Sequence, residues 1–552
     1  MPPLQPSSGR RRLRAPREDG ELLAIPPLAD MPATIAKNRE QIATWSTKVL
    51  GKPLAELRRL AREEVLAAAE HFVGHVSNVP AQSWQVANLP HVPLIVSGHQ
   101  PELFHPGVWA KNFVLDHLAK RTGGIGLHLI VDNDAVSSTR LAVPVGSRES
   151  PRIEFVPFDA DAGAVPWEEA RLRDESLFRT FADRVSAALA SWPIQPMLSD
   201  LWPVAVERLH SSPPPRLSDL LTIVRREAER RLGLNNLELP ISQLCESESF
   251  AWFVCSLLSE PQQTHAVYND VVAEYRRSHR IRNRQHPVPD LGTRAGDWWE
   301  SPFWIWRADD SRRGRLFVRV TSSELQLANG ESVIAELPRI DADSAESSVA
   351  QLRALSSRGW KLRPRALTNT LFARVFFADA FLHGIGGAKY DEMTNRLIER
   401  LFGVAPPSYL TVTATHRLPL GGWSVTPSDV ATLKHRLWDF DHNLDRHLAS
   451  VPNEEHRAVL AEKQHLIAEQ HAQDSLDRHD PRRAAHAENV QRRRQFKAIN
   501  QRLASLASES RSALVAELQA AQIQLAANTV LQSREYSFGL LPWNRAIPLN
   551  LD

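Results

Sequence analysis

Cysteine is nearly absent from this chain: Cys245 and Cys255 are the only two in 552 residues. That excludes a disulfide-stapled fold, and two thiols without companion ligands make no metal motif. Both are expected to be small buried hydrophobes. Neither sign of charge prevails. Lys and Arg number 66 against 64 Asp and Glu, leaving a formal net charge of +2, which gives no electrostatic reason to expect a nucleic-acid partner. The local basic runs Arg10-Arg-Arg-Leu-Arg14 and Arg492-Arg-Arg494 read as a tail and a solvated helix face. No apolar stretch of about 18 residues occurs, so neither a transmembrane helix nor a membrane partner is expected. The N-terminus lacks the apolar core of a secretion signal, which makes cytoplasmic residence the default. No internal repeat is visible.

What is present is the hydrophobic content, 43%, of a globular protein, in a chain too long for one simple core. The most informative stretch runs from Ser97 to Lys111: Ser-Gly-His-Gln-Pro-Glu-Leu-Phe-His-Pro-Gly-Val-Trp-Ala-Lys. It follows a short apolar run at 93–97 that predicts a buried strand. It precedes a segment at 108–119 with helical apolar spacing. A second apolar run, Leu127-His-Leu-Ile-Val131, ends in Asp132-Asn133-Asp134. Strand, helix and strand make a βαβ unit, and its polar groups gather where open α/β sheets bind ligands, at the carboxyl ends of the strands. Free N–H groups and the dipole at the helix start favour an anion there.

Each polar residue has a candidate role. His105 can offer an imidazolium and neighbouring backbone donors to phosphate, and Lys111 a cation if it turns toward the ligand. His99 and Gln100 lie nearer the strand end. A buried, backbone-bonded imidazole and a solvated lysine are the plain alternatives. Side-chain alternation places Asp132 and Asp134 on one side and Asn133 on the other. Two carboxylates on one side suit a metal, an ammonium group or a ribose hydroxyl, and equally suit helix capping.

A second region of interest begins with Leu371–Leu382, an apolar helix-like run. It leads into His383-Gly384-Ile-Gly386-Gly387-Ala-Lys389-Tyr-Asp391, a glycine-rich turn whose backbone a ligand can approach closely. A helix at 392–402 and a strand at 408–413 follow. Lys389 and Asp391 complete the crevice if the two regions meet. The expected organisation is a loose tail at 1–30, the first part of an α/β core at 31–150 with a helix at 54–72, and a connecting α+β region at 151–360. The second part of the core spans 361–425, a helical hairpin 426–530, and a closing segment 531–552 docks on the core. The connecting region holds an expected helix at 217–226 and strand at 316–320. It also holds the aromatic cluster Trp298–Trp306, which reads as packing or as a stacking platform for a base.

The hairpin rests on periodicity. Thr426-Pro427 is a helix start, and Leu433, Leu437, Phe440, Leu444, Leu448 and Val451 repeat at threes and fours. After Asp480-Pro481, expected to break the helix, Ile499, Leu503, Leu506, Leu514 and Leu518 do the same. Two long helices would form an antiparallel coiled coil, a dimer contact or a rigid lever.

Taken in order, Gly98-His-Gln100, Leu103-Phe104, Gly107, Lys111, Asp132-Asn-Asp134, Gly386-Gly387, the 427–528 arm and Leu541-Pro542 resemble the bacillithiol biosynthesis cysteine-adding enzyme family. The resemblance spans most of the chain through short motifs. It implies a Rossmann-like parallel-sheet core related to nucleotidyltransferases, with connecting segments and a coiled-coil arm that makes a homodimer. It implies a ligase that adds cysteine to glucosaminyl-malate, with ATP or ADP as nucleotide. Three positions depart from the family pattern: His99 replaces a Gln, Asn133 replaces a His, and Ala388-Lys-Tyr-Asp391 replaces Pro-Gly-Glu. Another amine-bearing or nucleotide substrate is therefore open.

The functional expectation is a nucleotide-assisted ligase joining a small amino acid to an amine. His99, Gln100 and His105 would act on phosphate or the developing oxyanion. Gly98, Lys111, Asp132, Asn133, Asp134, Gly384, Gly386, Gly387, Lys389 and Asp391 would bind substrate and nucleotide. One alternative is a metal-dependent hydrolase using His99, His105, Asp132, Asp134 and His383. Another is a non-catalytic coiled-coil interaction protein.

Overall fold

The computed structural model describes residues 13–77, 92–161, 163–442, 444, 454–477 and 486–546. The chain divides into two compact units, one of residues 1–145, 153–419 and 534–552, the other of 146–152 and 420–533.

The first unit is mixed α/β. Its principal sheet has the order Leu22–Ile25, Leu410–Ala414, Ala380–His383, Leu94–His99, Ile125–Ile130, Leu237–Pro240. The last five strands run parallel, and the first pairs antiparallel with Leu410–Ala414. Parallel strands need cover on both faces, so they read as unbroken apolar runs. Ile125–Ile130 is buried at every residue. From Leu94–His99 the chain steps to Ile125–Ile130 and Leu237–Pro240. It then returns to the opposite flank for Ala380–His383 and Leu410–Ala414. The direction of winding therefore reverses between Leu94–His99 and Ala380–His383.

The first crossover helix, Pro106–Thr122, is bounded by local chemistry. Pro106 occupies the first helical position, and Gly123 ends the helix in the left-handed region at φ 61°. The predicted helix at 371–382 is corrected. Helix Ala366–Phe376 ends there, and Ala380–His383 becomes a central strand. A continuous apolar run does not distinguish a buried helix from a buried strand. The switch comes from outside the run. Arg58 donates to the carbonyls of Val375 (2.6 Å) and Ala378 (3.1 Å), and Arg62 to that of Phe377 (3.0 Å). These take the orphan carbonyls of the helix end. Asp379 accepts from Leu94 N at 2.8 Å and from Arg62 at 3.0 Å, which starts the two central strands together.

Two further boundaries differ from expectation. Residues 22–25 lie inside the stretch read as a loose tail, yet form the edge strand. Of the glycines in the expected 383–391 turn, Gly384 is the N-cap of helix Ile385–Leu397 and Gly386 and Gly387 sit in its first turn; the helix continues as a π-helical turn, Ile398–Phe402. The helix read at 54–72 runs Leu54–Ser77, and that read at 217–226 runs Leu217–Arg231.

A second, antiparallel sheet has the order Ser332–Pro338, Glu324–Asn329, Asp310–Val320, Trp298–Arg307, Trp360–Pro364. The aromatic cluster is one of its strands. Phe303 and Trp306 are wholly buried, whereas Trp304 is partly exposed. Phe250, Phe253, Phe303, Phe372 and Phe376 pack ring to ring with centroids 5.0 to 6.3 Å apart. At about 1.5–3 kcal/mol per fully buried large side chain, such a cluster is a major part of the core.

In the second unit, the described residues form helices Pro427–His442, Glu454–Asp477, His486–Leu506 and Ser508–Leu531. Phe440, Leu444, Val459, Leu466, Ile499 and Leu503 share one apolar cluster. Val430, Leu433 and Ala521 form another. Asp441 and Arg511 pair at 2.8 Å. Asp480 and Pro481, where a break was predicted, lie outside the described residues, as do Leu448 and Val451.

Candidate functional site

The winding reverses between the central strands. At their carboxyl ends one leads into the turn 98–105 and helix Pro106–Thr122, and the other, Ala380–His383, directly into helix Ile385–Leu397. The strands register Leu382 opposite Ser97, and Ser97 Oγ donates to Leu382 O at 3.0 Å. Two stretches nearly three hundred positions apart thus meet at one sheet end.

Burial drives His99 down to about 3, and Lys111 nearby pushes the same way. Its Nδ1 lies 3.3 Å from Gln100 O, and its ring meets Phe104 edge-on at 5.1 Å. His105 is the N-cap of its helix: Gly107 N donates to His105 Nδ1 at 3.1 Å. Burial holds this imidazole below its ordinary value, opposed by Glu535 3.5 Å from Nε2. The expected imidazolium at this helix start is corrected, because Nδ1 is spent as an acceptor. The chain itself closes this helix end. A Cβ on Gly107 would lie 2.5 Å from Ala414 O and collide with the Arg534 guanidinium.

Lys111 is neither solvated nor free in the crevice. It is 3% exposed and donates to Gly98 O at 2.8 Å. Burial lowers it to about 8. It braces the turn and places a cation beneath it. The same helix is held by a buried network that the sequence did not announce. Trp109 Nε1 and Asn112 Nδ2 donate to Glu229 Oε1 at 2.9 and 2.6 Å. Arg225 joins Glu229 (2.8 Å) to Glu238 (2.7 Å).

The two carboxylates part company. Strand Ile125–Ile130 ends before Asp132, and 132–134 is a turn, so alternation no longer governs the side chains. Asp132 turns inward and accepts from Ser242 N at 2.8 Å and from Ser242 Oγ. Burial, with Glu168 nearby, raises its carboxyl to about 7. It is a buttress, not a ligand group. Asp134 turns outward, accepting from Gln100 Nε2 at 3.1 Å and Arg313 Nη1 at 3.0 Å. Asn133 Nδ2 donates to Pro364 O at 2.8 Å.

Gln100, Asn133 and Asp134 line a cavity of about 210 Å³, with Arg313, Arg365 and Trp304 facing them from the antiparallel sheet and its exit. Arg313 and Arg365 both lie over the Trp304 indole, at 5.0 and 4.2 Å from its centre. Arg365 also pairs with the buried Glu300 at 2.6 Å. These opposing residues escaped sequence analysis. Trp304 was visible within the aromatic cluster, but nothing local singles out Arg313 or Arg365.

The second glycine-rich wall divides similarly. Gly384 caps helix Ile385–Leu397 without a side-chain oxygen, leaving the first-turn N–H groups for another acceptor. A Cβ at Gly384 or Gly386 would enter open space, whereas one at Gly387 would lie 2.7 Å from His383 Nδ1. Lys389 is exposed. Asp391 is corrected as a crevice group. It is buried against Arg374 at 2.6 Å and His383 at 3.0 Å, and the Arg374 guanidinium with the neighbouring imidazole holds its carboxyl down at about 2 against the effect of burial.

Among the described residues, no group of three His, Cys, Asp or Glu side chains is placed to hold a metal ion. The ligands required by the hydrolase alternative are dispersed: Asp132 on Ser242, His383 on Asp391, His105 on its own helix. Cys255 is buried, and burial pushes its thiol up to about 12. No helix of the described residues is long and apolar enough to cross a membrane. No protein-family model matches the chain, and no curated protein matches it.

Proposed function

We propose that this protein is a divergent relative of the bacillithiol biosynthesis cysteine-adding enzymes: a nucleotide-assisted ligase joining a small amino acid to an amine-bearing acceptor. In this reading the parallel sheet is a Rossmann-like core, the helices of the second unit form a coiled-coil arm that makes a homodimer, and the enzyme works in the cytoplasm. The observation that supports the proposal is the pairing of Ser97 with Leu382, which sets the Gly98-His-Gln100 turn and the Gly384–Gly387 helix start at neighbouring strand ends where the winding reverses. Open α/β sheets bind nucleotides at this place. Unsatisfied N–H groups and a helix dipole suit the phosphates. The neutral His99 would donate or accept a hydrogen bond without repelling a cationic amine. Lys111 would add positive potential from below.

Convergent polar side chains in the neighbouring cavity favour a ligand-handling protein over a purely structural one. The test is calorimetric titration of the purified protein with ATP and ADP, repeated on Gly386→Leu. The leucine projects into open space and gains helix propensity, so the fold is retained. Binding by the wild type and at least a tenfold loss in the variant are expected. Absence of heat with either nucleotide would remove the proposal.

A further inference from the structure

A different cavity lies at the other end of the principal sheet. Asp379 directly precedes strand Ala380–His383 and accepts from Leu94 N at 2.8 Å, so it marks the amino ends of the two central strands. At about 3.3 Å per residue, strand Leu94–His99 sets this end roughly 20 Å from the carboxyl ends, where nucleotide is proposed to bind. The cavity beside Asp379 measures about 260 Å³ and is lined by Arg39, Arg58, Arg59 and Arg62, with Glu63 as the second carboxylate.

The helix-to-strand junction explains part of this charge. Arg58 and Arg62, each 6% exposed, hold the carbonyls of Val375, Phe377 and Ala378. Both also sit on Asp379, at 3.4 and 3.0 Å. Arg39 Nε lies 3.8 Å from the same carboxylate, beyond hydrogen-bond reach. Carbonyl oxygens satisfy N–H groups but cancel no charge, so three guanidinium groups share one carboxylate. Burial lowers Arg58 to about 10; Asp379 opposes this and Arg62 pushes it further down. Arg59 donates from Nη1 to Glu63 at 2.9 Å. Four arginines thus face two carboxylates, an excess of two positive charges. Buried charges call for partners of opposite sign.

We propose that this cavity binds a small phosphomonoester, with the phosphate on the arginines and the organic part against Trp45 and Ile42. A phosphomonoester carries about −1.5 to −2 charges at pH 7 and three strong acceptor oxygens, which matches the excess. Guanidinium forks bind phosphate through paired hydrogen bonds. Arg59 has five donors and spends one on Glu63. Its side chain is 60% exposed and that of Arg39 34%, so a ligand can reach both. Ile42, Trp45 and Ala55 add an apolar wall, with the Trp45 ring centre 5.4 Å from the Arg58 guanidinium. A bare ion would leave that wall uncovered. The volume falls below the roughly 300–1,000 Å³ of pockets that take drug-sized ligands, which suits a small ester and not a nucleoside triphosphate. The bound ester ties helix Met31–Ala43 and helix Leu54–Ser77 to the start of a central strand.

The test is calorimetry with glycerol 3-phosphate and phenyl phosphate, against glycerol, phenol and the monoanion dimethyl phosphate. The proteins are wild type, the double variant Arg39→Gln/Arg59→Gln, Ala55→Phe and Gly386→Leu. The double variant spares the buried pair that braces the junction. Ala55 is exposed on its helix and lines the cavity, so phenylalanine there takes up space without changing charge. Where one cavity variant fails to fold, the other decides. The expected result is one phosphomonoester bound per chain, at least tenfold weaker binding of dimethyl phosphate and no heat with the neutral compounds. Affinity should fall at least tenfold in both cavity variants and stay unchanged in Gly386→Leu. No heat with either ester, unchanged binding in a folded cavity variant, or a loss confined to Gly386→Leu would overturn the site. Ester binding that follows the cavity variants in a protein that ignores ATP and ADP would uphold the site and remove the ligase reading instead.

Discussion

Asp132 and Asp134 show how differently two like residues two positions apart can behave. Asp134 ends in a polar cavity and stays paired with a cation. Asp132 is 2% exposed, and burial outweighs two hydrogen bonds from Ser242 to leave its carboxyl at about 7. A raised carboxyl means that the folded state binds more protons than the unfolded chain between pH 4 and 7. Its contribution to stability therefore falls as pH rises through that window, by up to about 1.4 kcal/mol per pH unit. Asp132→Asn removes this group while keeping an acceptor for Ser242. Urea midpoints measured from pH 4.5 to 7.5 should show the variant gaining on the wild type as pH rises. Parallel curves would show that Asp132 does not titrate there. His99, at about 3, is neutral throughout the same range, so nucleotide binding should carry no imidazole titration from this residue.

At the scale of elements, the carboxyl end of the sheet is assembled by close approaches that only small residues permit. Gly107 lies where helix Pro106–Thr122 meets Ala414 and Arg534. The Ala414 carbonyl belongs to a sheet strand and cannot retreat. Gly107→Ala should therefore destabilise the protein by about 1–3 kcal/mol, read as a lower denaturation midpoint, although alanine has the better helix propensity. A midpoint unchanged or raised would mean that the Arg534 segment yields freely. That segment is well anchored: Phe538 N donates to Phe104 O at 3.0 Å, and Met197 N to Leu541 O at 2.9 Å. The Phe538 ring packs on Trp109 at 4.6 Å.

At the scale of the whole molecule, the proposed ligase requires two ligands, a nucleotide and an amino acid. Ligands that bind only the folded state stabilise it by mass action, about 2.7 kcal/mol for each at a free concentration one hundred times its Kd. ADP and L-cysteine together should raise the thermal midpoint by more than either alone. An amino acid that lowers the shift given by ADP would instead place both ligands in one site.

The sequence alone specified those parts of this protein that depend on neighbours along the chain. Unbroken apolar runs marked strands Leu94–His99 and Ile125–Ile130, and Pro106 with Gly123 bounded the helix between them. The expected meeting of the 98–105 turn with the 384–387 glycines depends on strand order, and the parallel register of Ala380–His383 with Leu94–His99 sets their strand ends side by side. Only the tertiary structure decided the rest. Leu371–Leu382 became half helix and half strand because Arg58 and Arg62, over three hundred positions earlier, take its carbonyls. Asp132 and Asp391 were withdrawn by Ser242 and Arg374, and Arg313 reached Asp134 across 179 positions. Periodicity and capping act within a few residues and leave a trace in the order of amino acids. The orientation of a carboxylate in a turn follows whichever donor the folded chain brings beside it, and no local pattern records that.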